Sequence, residues 1–117
     1  MTYLGRSEAD LQSSGAVWTA REIEQQPAML RATQAAVSSC RGLREFLSPF
    51  IAGRGTRIIL TGAGTSAFIG ECLAPHLAAA LSCRVEGIAT TDLVSAPHLY
   101  FERDTPTLLV SFARSGN

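Results

Sequence analysis

The chain has 117 residues, with 10 basic and 10 acidic side chains and a formal net charge of zero. That balance excludes a surface built to draw nucleic acid or a membrane by charge, and the length suffices for one small domain. Hydrophobic residues make up 46%, enough for a packed core, and no apolar run reaches the length of a membrane span.

Residues 1–8 lack a basic segment followed by an apolar one, so no secretory signal is expected. Cys40, Cys72 and Cys83 are odd in number, widely spaced and free of any Cys-x-x-Cys pair. They are expected to be small buried residues in a reducing cytoplasm. No His or Cys cluster has metal-ligand spacing, so neither a metal nor another cofactor is expected.

In chain order, residues 1–18 read as a loose N-terminal arm, broken at Ser13-Ser14-Gly15 and anchored by the packing of Trp18. Residues 19–56 read as N-terminal helices. Thr19-Ala20-Arg21-Glu22 has the form of a capping box and predicts a helix start at Thr19. Pro27 interrupts that helix and sits in the first turn of a second. Leu30, Thr33, Val37, Cys40, Arg44, Leu47 and Ile51 follow at alternating spacings of three and four, with Leu43 repairing the apolar break at Arg44, a stripe that must pack on the sheet or a second subunit. Pro49, Gly53 and Gly55 are expected to end it.

Residues 57–117 carry the informative pattern. A short apolar run, Arg57-Ile58-Ile59-Leu60-Thr61, predicts a strand bounded by Gly55 and Gly62. It turns through Gly62 and Gly64 into a helical pattern over 67–82, with Pro75 as a kink. A second strand is predicted over 84–89, one or two helical turns over 91–95, and a third strand over 107–112. The near-continuous apolar character of the third strand is the habit of a strand covered on both faces. Strands alternating with helices predict an α/β fold, a doubly wound parallel sheet flanked by helices.

A strand feeding a glycine turn feeding a helix makes an anion site. The first N–H groups of the helix have no internal partner, and its dipole favours negative charge. Gly62 and Gly64 let backbone approach a ligand where a side chain would collide. Thr65 and Ser66 add two hydroxyls, one of them expected as the N-cap. Ala113-Arg114-Ser115-Gly116-Asn117 then repeats the pattern after the third strand. A parallel sheet cut after its third strand leaves an open edge, so the chain is expected to be a fragment of a longer protein.

Two such loops resemble those of the SIS (sugar isomerase) family of phosphosugar-binding domains, over residues 19–117. Gly62-Ala63-Gly64-Thr65-Ser66 is similar to the family's first loop and Ser115-Gly116-Asn117 to its second. Glu22-Ile23 with Gln26-Pro27 resembles the segment that precedes the domain in glucosamine-6-phosphate synthases. Ser-Phe-Ala-Arg-Ser-Gly-Asn at 111–117 looks like the version found in the tagatose-6-phosphate ketose/aldose isomerase and galactosamine-6-phosphate deaminase subgroup. The resemblance implies that the sugar phosphate is held by Ser66 and the backbone around Gly62, Gly64 and Thr65. It also implies that Arg114, Ser115, Gly116 and Asn117 close on that phosphate. Ala113 departs from the family's usual serine, and the Arg114 guanidinium can compensate. The family's catalytic acids and bases lie beyond Asn117, and the implied partners are a small-molecule phosphosugar and further copies of the chain in a homo-oligomer.

Two other readings compete. Gly62-x-Gly64-x-x-Ala67 also satisfies the dinucleotide fingerprint of a Rossmann domain, with Asp92 as the ribose-binding acid, later than the usual offset of about 20 residues. A non-catalytic phosphosugar sensor would use the same loops. His76 and His98 are expected at packing or surface positions, and Glu71 as a solvated or interface residue.

Overall fold

The computed structural model describes residues 1–53 and 55–113. Two compact units divide the chain, Met1–Leu43 and Arg44–Asn117.

The first unit is more ordered than a loose arm. Strands β1 (Thr2–Tyr3) and β2 (Arg6–Ser7) pair antiparallel. They are joined by Leu4 and Gly5, both at positive φ, which suits the twist of a tight hairpin. Ser7 then caps helix α1 (Glu8–Ser13), its Oγ accepting from the Asp10 N–H at 3.1 Å. Helix α2 (Val17–Ser39) follows the break at Ser14 and Gly15. Leu11, Val17 and Ala20 form a small buried cluster under Tyr3 and Ala16.

Three expectations fail in this unit. The helix begins at Val17, so Thr19 lies inside it and is not its cap. Pro27 does not interrupt it: residues 22–39 are exposed, so water can satisfy the carbonyl that the proline leaves unpaired. The break falls instead at Cys40, before helix α3 (Arg41–Ala52). Trp18 is 70% exposed and no packing anchor. The Arg21 guanidinium lies 5.2 Å from its ring and 5.0 Å from that of Tyr3 while pairing with Glu8 at 2.5 Å.

The second unit holds a three-stranded parallel sheet. Strands β3 (Arg57–Gly62), β4 (Arg84–Ala89) and β5 (Thr107–Phe112) match the predicted strands, and their lateral order is β4-β3-β5. Helix α4 (Thr65–Leu81) connects β3 to β4; helices α5 (Thr90–Ser95) and α6 (Pro97–Tyr100) connect β4 to β5. Period-two alternation sends Ile58, Leu60, Val85 and Leu108 to one face, where they meet Ala74 of α4 and half-buried Leu47 and Phe50 of α3. Each fully buried aliphatic side chain there contributes roughly 1.5–3 kcal/mol. α3 closes at Gly53, whose N–H donates to the Pro49 carbonyl. The Thr56 hydroxyl lies 2.8 Å from the Phe50 carbonyl oxygen, to which it can donate.

Arg57, Ile59 and Thr61 point to the other face, toward α5 and α6. Ile59 is completely buried, Arg57 donates to the Tyr100 carbonyl, and Thr61 meets Thr90. β3 is therefore covered on both faces. β5 is not: Leu109 remains 48% exposed, because the α5–α6 connection covers the β3 side and leaves the far strand bare. The cysteines also depart from expectation. Cys40 and Cys72 are exposed and Cys83 is half-buried, because Cys40 caps a helix end and Cys72 sits on the outward side of α4.

α4 touches the sheet backbone to backbone. A Cβ on Gly70 would stand 2.9 Å from the Leu60 carbonyl oxygen, and one on Gly87 would stand 2.6 Å from the Glu71 nitrogen. Gly87→Ala is expected to destabilise the protein by about 1–3 kcal/mol, since neither backbone segment can withdraw without unpacking the core. Urea unfolding of the variant checks this.

At the start of the strands, buried Arg57 pairs with Glu86 at 2.5 Å, and Arg84 bridges Glu86 at 2.8 Å and Glu102 at 2.7 Å. Partial burial pushes the Glu86 carboxyl upward, but hydrogen bonds from Arg57 and Arg84 outweigh it and hold it below the ordinary value of 4.5. The stability this group contributes is present above that unfolded value and is lost as pH falls through the lower folded one. Glu86→Gln is therefore expected to flatten the acid limb of the stability profile, measured as urea midpoint against pH.

Candidate anion-binding loop

The register brings Gly62 level with Ala89 on one side and with Phe112 on the other, so all three strands end together. The loop after β3 sits at the centre of that edge. The third strand joins beside the first, and the chain's direction across the sheet reverses between β3 and β5. In an open parallel sheet this switch point is where ligands bind, outside the carboxyl ends of the strands. The order of these strands is the flavodoxin-like one. A dinucleotide-binding Rossmann sheet places its third strand beyond the second. The dinucleotide reading loses its topological support, and Asp92 lies exposed in the first turn of α5.

Only Ala63 and Gly64 separate β3 from α4. Gly64 has φ 57° and ψ −129°, the first central position of a type II′ turn, open to glycine and closed to residues with a Cβ. The turn is closed by the Ser66 N–H donating to the Ala63 carbonyl at 3.2 Å. A Cβ on Gly62 would stand 2.6 Å from the Ser66 carbonyl carbon, so the first turn of α4 can only sit this low over a glycine.

The expected hydroxyl cap is absent. Gly64 occupies the N-cap position with no side-chain hydrogen bond, and Thr65 and Ser66 are the first two helical residues. The turn geometry takes the cap position for the residue that can adopt positive φ, which moves both hydroxyls one step into the helix. Among the described residues neither hydroxyl has a hydrogen-bond partner, and the N–H groups of Gly64 and Thr65 donate to no backbone carbonyl. Two backbone donors and two hydroxyls therefore stand together at the positive end of a 17-residue helix.

Ser66 and Ile69 of α4 face Ser111, Phe112 and Ala113 of the β5 end across an open cleft of about 350 Å³. Ser111 opens the 111–117 motif but is not among the site residues expected from the sequence; the β3–β5 register, which sets it opposite Thr61, brings it here. A second cleft of about 310 Å³ lies between Ala63 and Thr90, Thr91, Val94 and Ser95. Arg114, Ser115, Gly116 and Asn117 lie outside the described residues. His76 and His98 are exposed, on α4 and α6. Glu71 is exposed as well, and its backbone is the part that packs on Gly87. Among the described residues no group of three or more His, Cys, Asp or Glu is placed to hold a metal ion. No helix of those residues is long and apolar enough to cross a membrane.

No protein-family model matches the chain. The D-galactosamine-6-phosphate deaminase AgaS of Shewanella sp. (strain ANA-3) is 49% identical over 114 residues, which cover 95% of this chain and 30% of that protein. A crystal structure of tagatose-6-phosphate ketose/aldose isomerase from Escherichia coli superposes with TM-score 0.81 at 43% identity, covering 89% of this chain and 29% of the other. A crystal structure from Clostridium novyi NT, described as a candidate isomerase of the same kind, superposes over 100% of this chain and 30% of its own with TM-score 0.87 and 42% identity. The chain thus spans about 30% of the length of the relatives it matches. At these identities the parallel sheet and its β3 loop are homologous to theirs, and the chain belongs with them to the SIS family.

Proposed function

We propose that this chain supplies the phosphate grip of a phosphosugar isomerase or deaminase acting on a 6-phosphorylated sugar or amino sugar. The observation that carries the reading is the loop from Gly62 to Ser66. Its backbone N–H groups at Gly64 and Thr65 and its hydroxyls at Thr65 and Ser66 are unengaged at a helix start, on the switch point of the sheet. The names of the relatives, a galactosamine-6-phosphate deaminase and a tagatose-6-phosphate isomerase, supply the substrate class. Arg114, Ser115, Gly116 and Asn117 would close on the phosphate from the β5 side.

Aldose–ketose isomerisation moves a proton between adjacent carbons of an opened sugar through an enediol. It needs a base near neutrality and a rigid hold on the remote phosphate, whose binding energy orients the reacting carbons. With a 2-amino sugar the same enolisation yields an imine, and its hydrolysis releases ammonia. The cleft between Ser66 and Ser111 has no titratable side chain among its described lining, so the acid and base of such a reaction would come from elsewhere in the protein. A phosphosugar sensor would need the same grip and no base; turnover by the full-length natural protein discriminates the two. Ile23, Met29, Leu30 and Val37 of α2, all 45% exposed or more, provide apolar surface for the homo-oligomer expected from the sequence.

Ser66→Ala tests the grip. Losing a hydrogen bond to a charged group costs about 1.5–3 kcal/mol, so affinity for D-galactosamine-6-phosphate is expected to fall about ten- to a hundredfold. Affinity for unphosphorylated galactosamine should hardly change. Because the Ser66 hydroxyl caps nothing, thermal stability should stay within about 0.5 kcal/mol of the parent. Calorimetric titration with both sugars reads the first pair of outcomes and a thermal melt the second. Equal preference for the phosphorylated sugar before and after the substitution would overturn the assignment.

A further inference from the structure

The hydroxyls of Thr61 and Thr90 lie 3.1 Å apart beneath the loop. Thr61 is the penultimate residue of β3, 2% exposed, and Gly62 and the loop follow it directly. Thr90 is half-buried and opens α5 immediately after β4. The backbone ladder between the two strands stops at Gly62 and Ala89. Beyond that step, the hydroxyl pair is the side-chain link between the strand end that launches the loop and the strand end that launches α5.

Either hydroxyl can be the donor, and the bond spares the buried Thr61 hydroxyl the cost of standing unpaired. Thr90 also lines the cleft with Ala63 and Thr91. The neighbouring Ser95 hydroxyl is already turned onto the Thr91 carbonyl at 2.6 Å. Loop residue Ala63, whose carbonyl closes the turn by accepting from Ser66, lines the same cleft as Thr90.

We propose that Thr90 is a positioning residue: by holding Thr61, it sets the height of the Gly62–Ser66 turn over the strand ends and so the aim of the loop's donors at a bound phosphate. The proposal rests on the phosphate-grip reading of that loop. A strut of this kind acts on the phosphate itself and not on the sugar, so its loss should weaken any phosphate-bearing ligand by the same factor.

The test titrates the full-length natural protein with inorganic phosphate and with D-galactosamine-6-phosphate, beside Ser66→Ala. Thr90→Val keeps the shape of the side chain and removes the hydroxyl. It is expected to weaken both ligands equally, by about three- to tenfold, while Thr90→Ser stays within about twofold of the parent. Thr61→Val removes the other half of the pair and provides a second route should the Thr90 variant fold poorly. Combined with Thr90→Val it should add nothing, because one bond is broken in either case. The proposal is overturned if Ser66→Ala weakens both ligands and Thr90→Val neither. It is also overturned if Thr90→Val weakens only the phosphosugar, which would make Thr90 a sugar contact, or if Thr90→Ser is as weak as Thr90→Val. Should Ser66→Ala weaken neither ligand, the grip reading falls, and this proposal falls with it.

Discussion

The close approach of α4 to the sheet is the contact on which the rest of the second unit depends. Gly70 lies on Leu60, Gly87 on the backbone of Glu71, and Gly62 under the first turn at Ser66, each with no space for a Cβ. Three glycines along one line let the helix lie on β3 and β4 at backbone contact. A helix held that low starts directly above the end of β3, so the connection shrinks to Ala63 and Gly64 and must turn through a conformation open to glycine. Packing and loop geometry thus have one cause: the contact that buries Leu60 and Ala74 also sets the helix start above the strand ends.

The two ends of the sheet divide the labour. Where the strands begin, Arg57, Arg84, Glu86 and Glu102 form a chain of ion pairs, with Arg57 enclosed, Glu86 half-buried, and Arg84 and Glu102 exposed. An enclosed guanidinium is tolerable because its donors are taken up by Glu86 and the Tyr100 carbonyl. That tie also pulls the α5–α6 connection onto the second face of β3. Where β3 ends, the described polar groups of its loop are hydroxyls and backbone N–H groups, partly unengaged. Charge satisfied internally at one end and donors left open at the other is the distribution expected if an anionic ligand supplies the missing partner.

Homology to deaminases and isomerases of sugar phosphates fits that distribution, and the strand order adds an independent reason. The glycine fingerprint after β3 does not by itself separate a monophosphate from a dinucleotide. The position of β5 departs from the dinucleotide-binding order: set beside β3 and not beyond β4, it brings Ser111, Phe112 and Ala113 to an open cleft shared with Ser66.

The limits of β3, β4 and β5 and the loop from Gly62 to Ser66 were legible in the sequence, because each depends on neighbours in the chain. Short β-branched and aliphatic runs bounded by glycine and turn residues have few local alternatives. Helix boundaries were less legible. Pro27 breaks an isolated helix but not α2, and Leu4-Gly5 with Ser7 organises a hairpin and a cap from residues that read as a loose arm. Gly70 and Gly87 left a trace, glycines inside a helix and a strand, but their meaning needed the other partner of each contact. What only the tertiary structure decided is lateral and through-space: β5 beside β3, Ser111 brought to Ser66, Thr61 joined to Thr90, Gly64 and not a hydroxyl at the cap. The physical reason is range. A residue's own backbone preference is set within a few positions of it, whereas strand order and side-chain meetings are set by which faces must be buried together, and that is a property of the folded whole.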